Sequence, residues 1–306
     1  MEQNHPYNFE DPQIYNNLLE YCPICGKKDI KLKYIIRRYN PAFKIDICKD
    51  CGFIFMNPQF CDKIVKKLYK KEYYRNDTAY SYQDERDIED YASYVWEKRI
   101  KVLRKYAANG NILDIGSAFG GLLKVASKYF TPYGIEFSEY SGSFAKEIFN
   151  ENIHIGTLDD CNFEKDSFSV ITMIETLEHL KEPVKTIKQC YKLLKDRGIL
   201  VIQTANMQGL QAKILKDRYS YYMPGHFSYF TRDNLYSLLK KEGFRRVKIF
   251  HPVEFGLLPK LLKSRSDFKS LIDYRKWLRI SIYHFISKIR YKGFSLTSSM
   301  VLYAFK

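Results

Sequence analysis

The sequence predicts an α/β protein with an open, mostly parallel sheet, preceded by a small module that carries four cysteines. Residues 111–121, NILDIGSAFGG, contain one short apolar strand that stops in a turn of small residues, after which a helix begins near Leu122. Residues 132–138, PYGIEFS, contain a second short strand that ends in an acidic residue. A strand, a glycine turn and a helix form a nucleotide-type site at the carboxyl ends of the strands in such a sheet.

The glycine turn is the first candidate binding element. Gly116 and Gly120 let the backbone turn tightly and approach a ligand, and Asp114 lies at the end of the strand. The spacing departs from the dinucleotide fingerprint G-x-G-x-x-G, because Ala118 lies between the glycines. Taken alone, the turn is also compatible with an ordinary strand-to-helix connection. Glu136, at the end of the second strand, favours a ligand site because a carboxylate can accept both hydroxyls of a ribose.

Three segments together resemble the S-adenosylmethionine-dependent methyltransferases with a Rossmann-like sheet: LDIGSAFGG, YGIE, and DSFSVITMIETLEHLKEP at 166–183. The resemblance implies an α/β fold with a seven-stranded methyltransferase sheet, an antiparallel last strand, and S-adenosylmethionine as the cofactor. Where this chain has Ala118, the family commonly has glycine. The resemblance implies that these residues contact the cofactor: Asp114, Gly116, Ser117, Ala118, Gly120, Glu136, Phe137, Leu158, Asp159, Ile174 and Glu175. Among them, Leu158 and Asp159 are expected beside adenine, and Ile174 and Glu175 beside the methionine part.

The four N-terminal cysteines form two C-x-x-C-G motifs, Cys22 with Cys25 and Cys48 with Cys51. Each motif is a tight turn whose glycine permits a positive φ and whose N–H groups point at the sulfurs. Two such turns predict a tetrahedral four-thiolate site of the kind that binds structural Zn²⁺, and the β-rich stretch between them suits a zinc ribbon. Such a site has no open position, so we assign the zinc to folding and not to catalysis. The doubled spacing disfavours the alternative of four unrelated free cysteines.

The chain divides into four predicted segments: an arm and zinc ribbon at 1–60, a helical Tyr-rich linker or substrate cap at 61–108, the cofactor-binding core at 109–250, and a basic amphipathic helical insertion with the last strand at 251–306. A zinc ribbon followed by an N-P turn and a tyrosine-rich segment resembles bacterial methyltransferases that carry an N-terminal zinc ribbon, several of which act on sugars. Tyr73 and Tyr74 either line the substrate pocket or pack the ribbon against the core. Tyr222 is a third candidate for contact with the substrate.

Two histidines are candidates for acid–base catalysis. His226 lies in YSYYMPGHFSYFT at 219–231, which matches a P-x-H-x-x-x-F-T element that the family often has. His179 belongs to an E-H pair with Glu178, which is also common in the family. An imidazole near a cofactor can serve as a general base. The alternative is that His226 only anchors its loop through hydrogen bonds.

The positive charge of the chain is concentrated at its C-terminus. The formal net charge is +15, and residues 251–306 hold 11 Lys and Arg against three Asp and Glu. Residues 256–292 are predicted to be mostly helical, with a broad apolar stripe among basic residues. Such a segment can contact a membrane surface peripherally, grip a phosphate-bearing substrate, or cover the core with one face in solvent.

We predict methyl transfer to a hydroxyl of a sugar, a glycan-biosynthesis intermediate or a similar small metabolite, with a nucleotide- or lipid-linked sugar as one such acceptor. One alternative is RNA as the substrate, which the nearly neutral residues 1–60 disfavour, because they carry eight Lys and Arg against seven Asp and Glu. The other is a non-catalytic, membrane-associated scaffold, motivated by Ala118 and the basic C-terminus. The cysteine usage and the polar N-terminus favour a reducing, cytoplasmic setting.

Overall fold

The N-terminal module is built from three consecutive antiparallel strands. The computed structural model describes residues 8–74, 84–251, 257–258, 261, 270–286, 290–291, 294–295 and 298–306. Strands β1 (Ile30–Ile36), β2 (Phe43–Cys48) and β3 (Ile54–Met56) pair side by side, with β2 in the middle. Apolar residues dominate β2 and β3, which places the core of the module on these two strands.

The residues before the module are part of it rather than an extended arm. Phe9 and Tyr15 are buried, and their ring centroids lie 5.8 Å apart. Tyr15 also stacks on Phe60, with ring centroids 5.6 Å apart, and forms an isolated antiparallel bridge with it. This part of the chain therefore packs against the module, because burial of two large aromatic side chains is favourable.

Helices α1 (Asp62–Leu68), α2 (Lys71–Tyr74) and α3 (Glu89–Leu103) connect the module to the core. The first turn of α1 is acidic and its last turn is basic, which complements the helix dipole. Residues 75–83, in the middle of the predicted Tyr-rich segment 61–108, lie outside the described residues.

The core contains the predicted mixed sheet of seven strands, in the order β10-β13-β8-β7-β4-β5-β6. Its elements and those that follow along the chain are β4 (Asn111–Ile115), α4 (Gly121–Ala126), β5 (Thr131–Glu136), α5 (Glu139–Phe149), β6 (Ile153–Ile155), β7 (Phe168–Ile174), α6 (Pro183–Leu193), β8 (Leu194–Ala205), α7 (Leu210–Leu215), β9 (Ser228–Tyr229), α8 (Arg232–Lys241), β10 (Arg246–Phe250), α9 (Tyr274–Ile286), β11 (Arg290–Tyr291), β12 (Phe294–Ser295) and β13 (Ser299–Phe305).

The order of the strands determines where ligands can bind. Strands β4 to β8 of this sheet are parallel, and the chain runs outward from β4 to β5 and β6 on one side and to β7 and β8 on the other. Such a reversal leaves a crevice at the carboxyl ends of the strands. The last strand, β13, is antiparallel to both β8 and β10, which confirms the predicted return of the chain.

The N-terminal module is joined to the core through β3. Strand β3 pairs antiparallel with β9, which places Ile54 opposite Tyr229. The ring centroids of Phe53 and Phe230 lie 5.2 Å apart, within an apolar cluster that also contains residues of the central strands, such as Leu113. The module and the core therefore share one hydrophobic interior.

The basic C-terminal region, predicted as helical over 256–292, lies partly outside the described residues. The structure describes helix α9 within it. Leu278, Ile282 and Phe285 on this helix are each about half exposed or more. Among the helices in the described part of the chain, none is both long enough and apolar enough to span a bilayer.

Candidate active site

A cavity of about 1860 Å³ lies at the carboxyl ends of β4, β5 and β7. Ten of the residues predicted to contact the cofactor line it: Asp114, Gly116, Ser117, Ala118, Glu136, Phe137, Leu158, Asp159, Ile174 and Glu175. They gather there because parallel strands end at the same edge of the sheet. Tyr73, Tyr74 and His179 line the same cavity.

The glycine turn is shaped by positive φ angles. Gly116 has φ +81°, and a Cβ atom there would lie 2.3 Å from the hydroxyl of Thr176. Gly120 also has φ +81°, and a Cβ atom there would lie 2.8 Å from the ring of Phe149. The lack of a side chain at Gly120 therefore lets helix α5 pack closely against the turn. This role differs from the predicted contact of Gly120 with the cofactor. Ala118 has φ +47°, so this residue adopts the conformation that the family's glycine would favour.

Glu136 is held rigidly at the end of β5. It is buried, and its two carboxylate oxygens accept the backbone N–H groups of Ala118 and Ser138, each at 2.8 Å. The hydroxyl of Tyr74 lies 3.4 Å from the same carboxylate. Burial raises the pKa of Glu136, and these hydrogen bonds oppose that rise. The carboxylate lines the cavity with acceptor capacity remaining, as recognition of a ribose requires.

Asp114 is buried behind the glycine turn. The hydroxyl of Thr172 on β7 donates to its carboxylate at 2.6 Å. Burial raises the pKa of Asp114 to about 8, and the nearby carboxylates of Glu85 and Glu136 act in the same direction. At neutral pH the side chain is therefore mostly protonated in the ligand-free protein, and a cationic ligand in the cavity would favour its ionised form.

Glu85 is a cavity residue that the sequence did not indicate. One of its oxygens accepts the backbone N–H of Gly121, at 3.2 Å, and the other accepts the indole N–H of Trp96, at 2.9 Å. A Cβ atom at position 121 would lie 2.3 Å from this carboxylate, so the glycine permits the contact. No local pattern marks Glu85, because it lies far before the glycine turn in the chain and reaches it only through the fold.

The residues predicted beside adenine differ in environment. Leu158 is buried and offers an apolar surface to the cavity. The carboxylate of Asp159 already accepts the ammonium group of Lys185 and the amide of Gln189, both at 2.8 Å. The hydrogen bond from Lys185 lowers the pKa of Asp159. A ligand amino group would therefore have to share this carboxylate with Lys185.

Tyr73 and Tyr74 lie in the wall of the cavity, which is one of the two placements that the sequence left open. Both line the cavity, but they pack on the glycine turn rather than on the N-terminal module. Their ring centroids are 5.1 Å apart, and that of Tyr74 lies 5.2 Å from Phe119. The guanidinium group of Arg86 lies over the ring of Phe119, 3.9 Å from the ring centroid.

Tyr222 lies elsewhere. Its side chain is 1% exposed and packs among residues of the module and of β9, with its ring centroid 5.6 Å from that of Tyr34 and 4.9 Å from that of Tyr229. This placement corrects the prediction that Tyr222 contacts the substrate. Its aromatic neighbours along the chain suggested a pocket, whereas they form the interface between module and core.

The two histidines lie side by side, with ring centroids 4.5 Å apart. His179 lines the cavity, whereas His226 is 3% exposed and lies behind it. Burial lowers the pKa of His179 to about 4 and that of His226 well below its usual value. Both rings are therefore neutral, and a base of such low pKa is poorly matched to removing an alcohol proton at neutral pH.

The four cysteines of the two C-x-x-C-G motifs come together in space. The Sγ atoms of Cys22 and Cys51 are 3.6 Å apart, and those of Cys25 and Cys48 are 3.5 Å apart. All four sulfurs lie within 4.8 Å of one another. Gly26 and Gly52 have φ angles of +72° and +69°, as the predicted turns require. A tetrahedral ion with bonds of about 2.3 Å separates its sulfurs by about 3.8 Å, so the cluster fits zinc.

Comparison with known proteins identifies the family. A family model described as a methyltransferase domain matches residues 85–249, which is more than half of the chain. The chain belongs to this family. The matched region is a methyltransferase domain, and it contains both the glycine turn and Glu136.

Curated relatives and solved structures agree with this assignment. The chain is 35% identical over 117 residues to a ubiquinone biosynthesis O-methyltransferase of Haemophilus ducreyi, covering 32% of this chain and 48% of that one. It is 29% identical over 112 residues to a ubiquinone/menaquinone biosynthesis C-methyltransferase of Geotalea daltonii, covering 32% and 46%. The similarity thus spans about half the length of these relatives.

Two solved structures support the fold. A methyltransferase of Thermotoga maritima, described as a possible histamine N-methyltransferase, aligns with a TM-score of 0.52 at 16% identity, covering 80% of this chain and 99% of that one. Phosphoethanolamine N-methyltransferase 2 of Haemonchus contortus, in complex with S-adenosyl-L-methionine, aligns with a TM-score of 0.54 at 16% identity, covering 89% and 71%.

Binding of S-adenosylmethionine, which carries a cationic sulfonium and ammonium group, should release on the order of one proton from Asp114 at pH 7. Because the pKa of Asp114 is raised in the folded protein, the contribution of this group to the free energy of unfolding is full at acidic pH and is lost as the pH rises towards 8. In Asp114→Asn the proton release should disappear, and the stability of the ligand-free protein should fall less between pH 5 and pH 8. Calorimetry in buffers of different ionisation enthalpy measures the release. Equal release by both proteins would contradict the assignment.

Proposed function

We propose that this methyltransferase methylates a hydroxyl of a sugar or a similar small metabolite that carries phosphate, such as a nucleotide-linked sugar. The observation that carries the proposal is the size and lining of the cavity. A pocket for one small molecule measures about 300–1,000 Å³. The cavity of about 1860 Å³ is larger and offers room for the cofactor and an acceptor together.

The cofactor half of the cavity is the end of β4 and β5. Glu136 would accept the ribose hydroxyls, Leu158 would contact adenine, and the ionised form of Asp114 would favour the cationic methionine part. The backbone approaches closely at Gly116, because this position has no side chain.

The acceptor half is lined by charged and aromatic residues of the segment around α1 and α2, among which three lysines outnumber two acidic residues. Lys66, Lys70 and Lys71 line the cavity there, together with Tyr69 and Tyr73. Lysine ammonium groups bind phosphate as point charges, and aromatic rings pack against the apolar faces of sugars. The combination of lysines and aromatic rings favours an acceptor that carries phosphate and hydroxyl groups. A purely apolar acceptor would suit an aromatic pocket without lysines.

The chemistry is a direct displacement. A lone pair of the acceptor oxygen would attack the methyl carbon, and the bond from carbon to sulfur would break with the electron pair kept by sulfur as a neutral thioether. The proton of the acceptor hydroxyl would pass to water. Holding the oxygen, the methyl carbon and the sulfur in line supplies much of the rate, because a near-attack arrangement removes the entropy of encounter.

We assign the cysteine cluster to a structural zinc ion. Cys22, Cys25, Cys48 and Cys51 would hold it with no ligand position left open, so the ion would act on stability rather than on the methyl transfer. The support is the close approach of the four sulfurs and the two left-handed glycines that follow the motifs.

Turnover of S-adenosylmethionine with a panel of nucleotide-linked sugars tests the proposal, with formation of S-adenosylhomocysteine as the readout. Benzenediols related to ubiquinone precursors, free sugars and short RNA serve as competing acceptors. We expect turnover with one or more nucleotide-linked sugars. Turnover with the benzenediols alone would contradict the proposed sugar acceptor and would favour a role in ubiquinone biosynthesis, for which the relatives are named.

Two neighbouring lysines of α1 provide a matched pair of variants. Lys66 lines the cavity, whereas Lys67 is exposed and is not among the lining residues. Lys66→Ala should raise the KM for a phosphate-bearing acceptor by about tenfold, which corresponds to about 1.4 kcal/mol, and Lys67→Ala should leave it unchanged. Equal effects of the two substitutions would argue against phosphate recognition at this wall of the cavity.

A further inference from the structure

Glu178, His179 and His226 form a second cluster of metal-ligating side chains, separate from the cysteines. One ligand atom from each of the three lies within 4.8 Å of the others. Glu178 and His179 follow β7, whereas His226 precedes β9, so the fold brings them together from distant parts of the chain. Glu178 and His226 are buried, and His179 reaches the cavity.

The hydrogen bonds of both rings leave the same nitrogen available. His179 Nδ1 lies 3.0 Å from the carbonyl oxygen of Gly225 and 2.6 Å from the hydroxyl of Tyr69. His226 Nδ1 lies 2.9 Å from the carbonyl oxygen of Tyr221. A carbonyl only accepts, so each Nδ1 carries the proton and each Nε2 keeps its lone pair. Histidines that bind metal ions almost always donate their other N–H to a backbone carbonyl or a carboxylate.

Glu178 supplies a second, independent observation. Its side chain is 0% exposed, and one carboxylate oxygen accepts the hydroxyl of Tyr221 at 2.5 Å. The other oxygen, Oε2, is buried and has no hydrogen-bond partner among the described residues. A buried carboxylate oxygen without a partner is costly, and a cation is the ligand that would satisfy it.

From this geometry we propose that Glu178, His179 and His226 bind a divalent cation at the acceptor side of the cavity. Two imidazoles and one carboxylate suit a divalent transition ion such as Zn²⁺, Mn²⁺, Fe²⁺ or Co²⁺ and leave further positions open. The role of the cation rests on the proposed methylation of a hydroxyl. The cation binds the acceptor oxygen and lowers the pKa of that hydroxyl, so that the proton passes to water before the oxygen attacks the methyl group.

The hydrogen bonds of the two rings also suit metal binding. A histidine that donates its Nδ1–H to a carbonyl keeps the Nε2 lone pair with which it binds a metal ion. Tyr221 then acts as a positioning residue, because its hydroxyl also interacts with Thr204, at 3.0 Å, and accepts the backbone N–H of Ala205, at 3.2 Å. This network orients the carboxylate of Glu178 without contacting the acceptor.

The test is titration of the full-length protein with Co²⁺, followed by visible absorption and by metal analysis. Co²⁺ bound by nitrogen and oxygen lacks the intense charge-transfer bands of cobalt–thiolate sites, so the spectrum separates this site from the cysteine cluster. We expect one equivalent with nitrogen and oxygen ligands in the wild type. Glu178→Gln should weaken it at least 100-fold, and Tyr221→Phe about 10- to 100-fold. Glu182→Gln, an exposed glutamate of the same loop, should bind as the wild type does.

Binding of S-adenosylmethionine by each variant distinguishes loss of the cation site from loss of the folded protein. Glu178→Gln that binds the cofactor but not Co²⁺ supports the cation site, and His179→Ala provides the same test if Glu178→Gln does not fold. A folded wild type without the nitrogen–oxygen spectrum, or with one that Glu178→Gln leaves unchanged, overturns the proposal. Full activity after removal of the cation would overturn its role in acceptor activation. Cation binding without turnover of any sugar would leave the site standing and contradict the proposed acceptor.

Discussion

Glu136→Ala should weaken binding of S-adenosylmethionine by on the order of 100-fold or more. Two hydrogen bonds from ribose hydroxyls to a carboxylate contribute about 1.5–3 kcal/mol each, and losing both costs at least about 3 kcal/mol. The substitution also frees the backbone N–H groups of Ala118 and Ser138, which this carboxylate accepts. The glycine turn would then lose part of its support, which adds to the loss of affinity.

Isothermal titration calorimetry with a cofactor analogue that lacks both ribose hydroxyls makes the test specific. The analogue should bind weakly to the wild type. Its affinity should fall little further in Glu136→Ala, because it lacks the ribose hydroxyls that the carboxylate would accept. Glu147→Ala, an exposed glutamate on the neighbouring helix α5, is the matched control and should bind the cofactor normally. An affinity of Glu136→Ala within twofold of the wild type would refute the ribose contact.

Cys48→Ala should remove the metal from the N-terminal module and lower the melting temperature by more than about 10 °C. Structural zinc contributes about 10–16 kcal/mol to the folding of zinc-finger peptides, and a part of this is enough for such a shift in a chain of this size. Because Cys48 lies in the same buried cluster as Leu113 and Phe230, the loss should destabilise the catalytic core as well as the module.

Metal analysis and thermal denaturation, side by side with Cys190→Ala, check this prediction. Cys190 is as deeply buried as Cys48 and belongs to the same cluster, but it lies outside the four-cysteine site. Cys190→Ala should retain the metal and melt only a few degrees lower. If Cys48→Ala keeps the metal as Cys190→Ala does, or if the two variants have the same melting temperature, the cysteine cluster does not bind a structural ion.

The same substitution should disturb the active site. Strand β3 pairs with β9, and His226 lies just before β9. Hydrogen exchange at the backbone N–H groups of Ser228 and Tyr229 should therefore accelerate in Cys48→Ala at temperatures where the sheet of the core is still protected.

Much of the cofactor site follows from short stretches of sequence. The strand before Gly116, the acidic ends at Asp114 and Glu136, and the apolar run of β7 are local patterns, and parallel strands bring their carboxyl ends to one edge. Each C-x-x-C-G motif forms its turn within a few residues, which is a local pattern, whereas the two motifs meet because β1 pairs with β2.

The tertiary structure decided the remaining parts of the site. The sequence favoured His226 as the catalytic histidine and offered Tyr222 to the substrate, whereas the fold buries both and turns His179 towards the cavity. Glu85 reaches the glycine turn from a distant part of the chain, and His226 meets Glu178 and His179 because the backbone N–H of Phe227 donates to the carbonyl oxygen of Glu178. Local periodicity determines which residues form a strand or a turn. Which side chains meet across the sheet depends on how the apolar faces of distant elements are buried together, and no single stretch of the chain contains that information.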